Sequence, residues 1–119
     1  MDNPEEIFHH LKEILLPYSN GMVVVTDKPD NFYLNTHHVM KNKKLMYFGS
    51  VKINKNYVSF HLMPVYVFPE LLEGISPELQ KRMQGKSCFN FKATDDKLFQ
   101  ELKELTQAGY GKYQKADYL

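Results

Sequence analysis

The sequence predicts an α+β domain, a mostly antiparallel sheet of about five strands with an N-terminal and a C-terminal helix packed on one of its faces. Three observations predict it. Residues 43–63, KKLMYFGSVKINKNYVSFHLM, alternate apolar and polar positions on either side of a polar turn, the mark of a hairpin with one buried face. Each end of the chain carries an apolar stripe of helical period. Between them, strand-like runs follow one another through turn residues rather than alternating with helices, so hairpins and antiparallel pairing dominate.

The first helix is written in its opening residues. Asn3 can cap, Pro4 suits the first helical position, and Glu6 can reach back to the cap. Ile7, Phe8, Leu11, Ile14 and Leu15 form its stripe, and the spacing predicts a helix over residues 4–16, with Pro17 and Gly21 at the exit. Met22 to Thr26 is a β-branched strand, Asp27 to Asn31 a turn, and Phe32 to His37 a second strand paired with the first. Val39 to Lys44 reads as another turn.

In the central hairpin, period 2 puts Leu45, Tyr47, Gly49 and Val51 on one face and Met46, Phe48, Ser50 and Lys52 on the other. Its second arm puts Val58, Phe60 and Leu62 opposite Tyr57, Ser59, His61 and Met63. Asn54-Lys55-Asn56 supplies turn chemistry, and Pro64 ends the arm because it has no N–H for the ladder.

A short helix or irregular segment is expected near Phe68–Leu72, stopped by Gly74. Ser76-Pro77-Glu78 starts another short helix, ended at Gly85. Ser87 to Lys92 is the last strand, with Phe89 and Phe91 on one face and Cys88 and Asn90 on the other. Thr94 can cap a final helix whose stripe is Leu98, Phe99, Leu102, Leu105 and Thr106, and Gly109 reads as its stop. The tail from Tyr110 to Leu119 is either loosely held or packed on a neighbour.

A length of 119 residues suffices for one domain, residues 1–119, with one core and no help from metal or disulfide. The net charge of +1 lacks the basic footprint of a dedicated nucleic-acid binder, so no nucleic-acid partner is expected. Cys88 is the one cysteine, which excludes an intramolecular disulfide and fits a reducing compartment. The start, MDNPEE, has no basic or apolar leader region, and no apolar run approaches the roughly 20 residues of a membrane span. A cytoplasmic protein with no membrane partner is the expectation.

The segment GSVKINKNYVSFHLMP, a short helix, GKSCFNFK and a helix opened by two Asp together resemble the bacterial YdhG-like domain family, whose members are largely of unknown function. The matching positions are Phe48, Lys52 and Tyr57, then Gly85, Lys86 and Phe91, then the helix from Thr94 to Gly109. The resemblance spans residues 40–110 and implies an α+β fold with helices on one sheet face. Some relatives are labelled frataxin-like iron chaperones, so it also implies iron as a cofactor or cargo.

Four groups of residues are candidates for chemistry. Glu6, His9, His10 and Glu13 share the outer side of the first helix at spacings of three and four, where carboxylate and imidazole could hold a divalent ion; a solvated polar face is the plainer account. His61 with His37 or His38 could form a two-histidine site if they share one face of adjacent strands. Cys88 would be a nucleophile if a histidine lowered its pKa, and otherwise a small apolar strand residue. Lys41, Lys43, Lys44, Lys52 and Lys55 lie around Tyr47, Phe48 and Tyr57 and would suit an anionic ligand, or simply block edge pairing.

The aromatic content, eight Phe and eight Tyr without Trp, favours a further option. Tyr33, Tyr47, Tyr57 and Tyr66, with Lys52, would line the uncovered sheet face as a ligand pocket or an interface. No nucleophile–base pair or metal triad is visible, so no catalytic residue is assigned. The expected function is a non-enzymatic binding domain acting through that face on a small ligand, a protein partner or a second copy. Divalent-metal binding is the alternative, and an enzyme the least supported reading.

Overall fold

Asn3 Oδ1 accepts the Glu6 amide at 3.1 Å, Pro4 takes the first helical position, and helix α1 runs Pro4–Leu15. The computed structural model describes residues 1–119. A 3-10 segment, Leu16–Gly21, turns the chain into four successive strands: β1 (Val23–Lys28), β2 (Asn31–Val39), β3 (Leu45–Ile53) and β4 (Val58–Leu62). Pro64 ends β4 as its missing N–H requires, and itself starts helix α2 (Pro64–Val67). A 3-10 turn, Pro69–Leu72, and helix α3 (Pro77–Gln80) lead to β5 (Cys88–Phe91) and helix α4 (Asp96–Lys115).

The five strands form one antiparallel meander in the order β1-β2-β3-β4-β5. Both terminal helices lie on the same face. Ile7 and Leu11 of α1 and Leu98 and Leu102 of α4 are all buried in a core shared with Phe32, Val51, Phe60 and Phe89, four residues that stand opposite one another across β2 to β5. The Phe91 and Phe99 rings meet edge to face at 5.0 Å, joining β5 to α4. The α+β class, the antiparallel sheet and the terminal helices on it are as the sequence predicts.

Three local expectations change. The final helix is capped by Asp95, whose Oδ1 accepts the Leu98 amide at 3.0 Å, rather than by Thr94. It also runs through Gly109 to Lys115. Gly109 is buried against Pro64, so close that a Cβ there would lie 2.8 Å from the proline Cβ; the residue permits a helix crossing rather than ending a helix. The tail is therefore packed: Tyr113 is fully buried, and Tyr110 sits 4.9 Å from the Tyr18 ring.

The third change is in β3. Leu34 faces Gly49 but Asn35 faces Tyr47, so Phe48 is an extra residue in the ladder, a β-bulge. Period 2 breaks there. Phe48 turns into the core beside Gly49 and Val51, and Tyr47 joins Ser50 on the opposite face. Gly49 is the local enabler, because a Cβ on it would come within 2.9 Å of the His61 carbonyl oxygen and 3.2 Å of a Leu15 methyl.

Candidate functional site

Strand pairing writes two polar rows across the face that no helix covers. One row reads Lys28, Asn31, Lys52, Ser59, Asn90 and the other Thr26, Tyr33, Ser50, His61, Cys88, each residue directly opposite the next. Successive rows on one face are about 7 Å apart and neighbouring strands about 4.8 Å, so the side chains can converge on one small molecule. Tyr47, displaced by the bulge, stacks on Tyr33 at 4.6 Å and 18° and hydrogen-bonds through its hydroxyl to the Ser50 hydroxyl.

These rows floor a shallow concavity of about 600 Å³. Asn54 and Tyr57 from the β3–β4 turn and Gln84 from the segment before β5 complete its rim. Several of its polar groups hold one another. Asn54 Nδ2 donates to Ser59 Oγ at 3.1 Å, Asn90 Nδ2 donates to Gln84 Oε1 at 2.9 Å, and the Cys88 thiol donates to Asn90 Oδ1 at 3.2 Å. The Lys52 ammonium, the His61 imidazole and the hydroxyls of Tyr33 and Tyr57 take part in none of these bonds, although all four residues line the hollow.

Burial sets the protonation of the face. It lowers the His61 pKa, which favours the neutral imidazole, and it raises the Cys88 thiol and the Tyr33 and Tyr47 phenols. The surface near neutral pH therefore offers one lysine charge among neutral donors and acceptors. Cys88 and His61 are cross-strand partners, the juxtaposition a cysteine nucleophile would want. Their shifts oppose that use: a reactive thiolate needs a lowered thiol pKa beside an imidazolium, and burial moves both groups the other way.

The concavity brings together Tyr33, Tyr47, Lys52 and Tyr57 from the sequence expectation. Tyr66 lies elsewhere, exposed on α2, with the Lys86 ammonium 5.8 Å from its ring centre and a separate groove beneath it. The other histidines do not join His61. β3 separates β2 from β4, His37 is exposed, and the His38 ring packs 5.1 Å from Tyr118. Of the lysine group, Lys41, Lys43 and Lys44 belong to the β2–β3 connection, and Phe48 is in the core.

On α1 the four candidate ligands pair off instead of converging. His9 Nε2 is 3.0 Å from Glu13 Oε1, and His10 Nε2 is 3.9 Å from Glu6 Oε1. A lasting metal site needs at least a third ligand, and no group of three or more His, Cys, Asp or Glu side chains gathers there or elsewhere. The four side chains thus form two separate pairs along the helix rather than one cluster.

Ser50, Ser59, His61, Gln84, Cys88 and Asn90 belong to the face as much as the tyrosines do. Alternation already placed Ser59 and His61 opposite the Val58–Phe60–Leu62 stripe, and Cys88 and Asn90 opposite Phe89 and Phe91. Joining the two sets required the β4–β5 register, which no local pattern encodes. Comparison with models of known protein families, with curated proteins and with solved structures finds no match to the chain. No helix is long and apolar enough to cross a membrane.

Proposed function

We propose that the chain is a small-ligand-binding domain whose recognition surface is the open face of the sheet. The observation that carries this reading is the concavity itself. Four side chains with unused polar groups point into one hollow of about 600 Å³, a size within the ordinary range of small-molecule sites.

The composition of the face favours a small polar molecule over a protein partner. Protein interfaces gather apolar and aromatic residues at their centre and deplete charge. Here Tyr33, Tyr47 and Tyr57 are the aromatic part of a lining otherwise made of serine, asparagine, glutamine, lysine, histidine and cysteine, with no aliphatic residue, while the exposed large apolar residues Met1, Leu16, Val24, Val25, Val39 and Tyr66 all lie outside it. The resemblance to the YdhG-like family is compatible with a binding role, and a reducing, cytoplasmic setting suits the single free thiol of Cys88.

The test is amide-resolved NMR of the full chain titrated with a library of neutral and charged small polar compounds. Binding shifts should gather on Tyr33, Ser50, Lys52, Ser59, His61 and Cys88. Shifts confined to α1 and α4, or a silent face throughout the library, would overturn the reading.

A further inference from the structure

We infer that the open face takes a phosphorylated small molecule, its phosphate held between Lys52 and a cationic groove formed by Lys81, Arg82 and Lys92. This deepens the binding-domain reading and rests on it.

Charge is the first argument. The concavity and a neighbouring groove of about 380 Å³ share Tyr57, Gln84 and Asn90 as a common wall. Together they present Lys52, Lys81, Arg82 and Lys92 and not one carboxylate, in a chain with 15 basic and 14 acidic residues. The ion pairs of the molecule use His9, His10, Lys12 and Lys112, so these four cations are unpaired. Asp95 lines the next groove with Arg82 and Lys92, where its Oδ1 caps α4 and it forms no ion pair with either. Unpaired cations gathered round a hollow repel one another, and a multiply charged anion relieves that repulsion better than a monocarboxylate does. A phosphate monoester carries between one and two negative charges near neutral pH, about −1.5 to −2. Arg82, the chain's only arginine, adds a planar fork that phosphate oxygens accept in pairs.

The second argument is the rest of the ligand. Tyr57 lines both hollows, so a ring stacked on it can sit over the sheet while its phosphate reaches the groove. The Tyr33 hydroxyl and the His61 imidazole, both lining the hollow, supply hydrogen bonds to the uncharged part. The overall charge of +1 is too low for a surface built to track a nucleic-acid backbone, which favours a single small molecule over a polymer.

Calorimetric titration of the full chain at low salt tests the inference, using adenosine diphosphate, adenosine, inorganic pyrophosphate and a short oligothymidylate as probes. Adenosine diphosphate should saturate one site, pyrophosphate should compete with it, and adenosine should bind at least about tenfold more weakly. Arg82 and Lys92 are exposed, so Arg82→Gln combined with Lys92→Gln should leave the melting temperature unchanged and weaken adenosine diphosphate at least about tenfold, the loss of one charged hydrogen bond or more. The same double change on Lys41 and Lys44 should do nothing. Three results would overturn it: no binding of either phosphate probe at millimolar concentration, affinity indifferent to Arg82 and Lys92, or oligothymidylate bound tenfold tighter than adenosine diphosphate. Neutral compounds shifting the face while phosphates do not would remove the phosphate assignment and keep the binding face; silence to both kinds of probe removes both.

Discussion

The Tyr113 hydroxyl donates a 2.9 Å hydrogen bond to the backbone carbonyl of Tyr47. The bond ties the last turns of α4 to β3 at the residue just before the bulge, where the strand ladder is interrupted. It reaches across 66 positions of sequence and fixes the backbone of a residue whose ring walls the concavity.

Replacing Tyr113 by Phe keeps the ring contacts with Phe48 and Tyr118 and removes only that donor. The carbonyl left behind is partly buried, so Tyr113→Phe should cost about 1 kcal/mol in urea unfolding with an unchanged denaturant slope. Removing the tail after Gly109 deletes the ring as well as the bond. That truncation should cost far more than the point change and lose cooperative unfolding, since Tyr113 is among the largest fully buried side chains.

How much of this was legible depends on whether the deciding contact was local. β4 is regular, and its alternation put Val58, Phe60 and Leu62 in the core without help from the structure. β3 carries the bulge, so the same rule grouped Tyr47 with Val51 and Phe48 with Ser50, whereas Phe48 shares the core side with Val51 and Tyr47 the open side with Ser50. Gly49 inside a strand was the available sign of a bulge or close approach. Tyr33, Tyr47, Lys52 and Tyr57 could be grouped because each lies on or beside a hairpin readable from sequence. Cys88 reaches the same place through the pairing of β4 with β5, and Arg82 and Gln84 through the Met83–Phe89 bridge onto β5, contacts that no local pattern encodes.

Gly109 and Gly111 offer a paired test of the helix crossing. Both lie inside α4, where glycine costs about 1 kcal/mol relative to alanine. A Cβ at Gly111 meets nothing within 4 Å, so Gly111→Ala should stabilise by about 0.5–1 kcal/mol. A Cβ at Gly109 would press on both Cβ and Cγ of Pro64, at 2.8 and 3.1 Å, and a proline ring has little freedom to move. Overpacking of that kind costs about 1–3 kcal/mol, so Gly109→Ala should be destabilising despite the helix-propensity gain. Melting shifts of opposite sign for the two variants would fit; stabilisation by both would mean that α4 slides freely over α2.

Glu101 clamps the start of α3. Its two carboxylate oxygens accept from the Ser76 amide and the Ser76 hydroxyl, each at 2.7 Å, while Ser76 Oγ itself caps the Leu79 amide at 3.1 Å. Glu101→Ala should cost about 1–3 kcal/mol, and Ser76→Ala about 1 kcal/mol through the cap. The two share one network, so the double variant should lose less than the sum by at least about 0.5 kcal/mol. Strict additivity in thermal unfolding would show that the clamp contributes nothing beyond the cap.

His61 makes the stability of the face depend on pH. Burial lowers its folded pKa below the ordinary 6.5, so the folded protein binds fewer protons than the unfolded chain in that range. Folding stability from this residue is therefore fully present above pH 6.5 and is lost as the pH falls through the folded pKa. The groups facing the imidazole are Cys88 from β5, Ser50 and Tyr47 from β3, and Lys52 one row away, none of them an anion that would hold a proton on the ring. His61→Gln keeps a polar side chain without titrating. Urea unfolding between about pH 7.5 and pH 5 should show wild type losing more stability than the variant. A variant that loses as much as wild type would mean that the imidazole is already solvated in the folded protein.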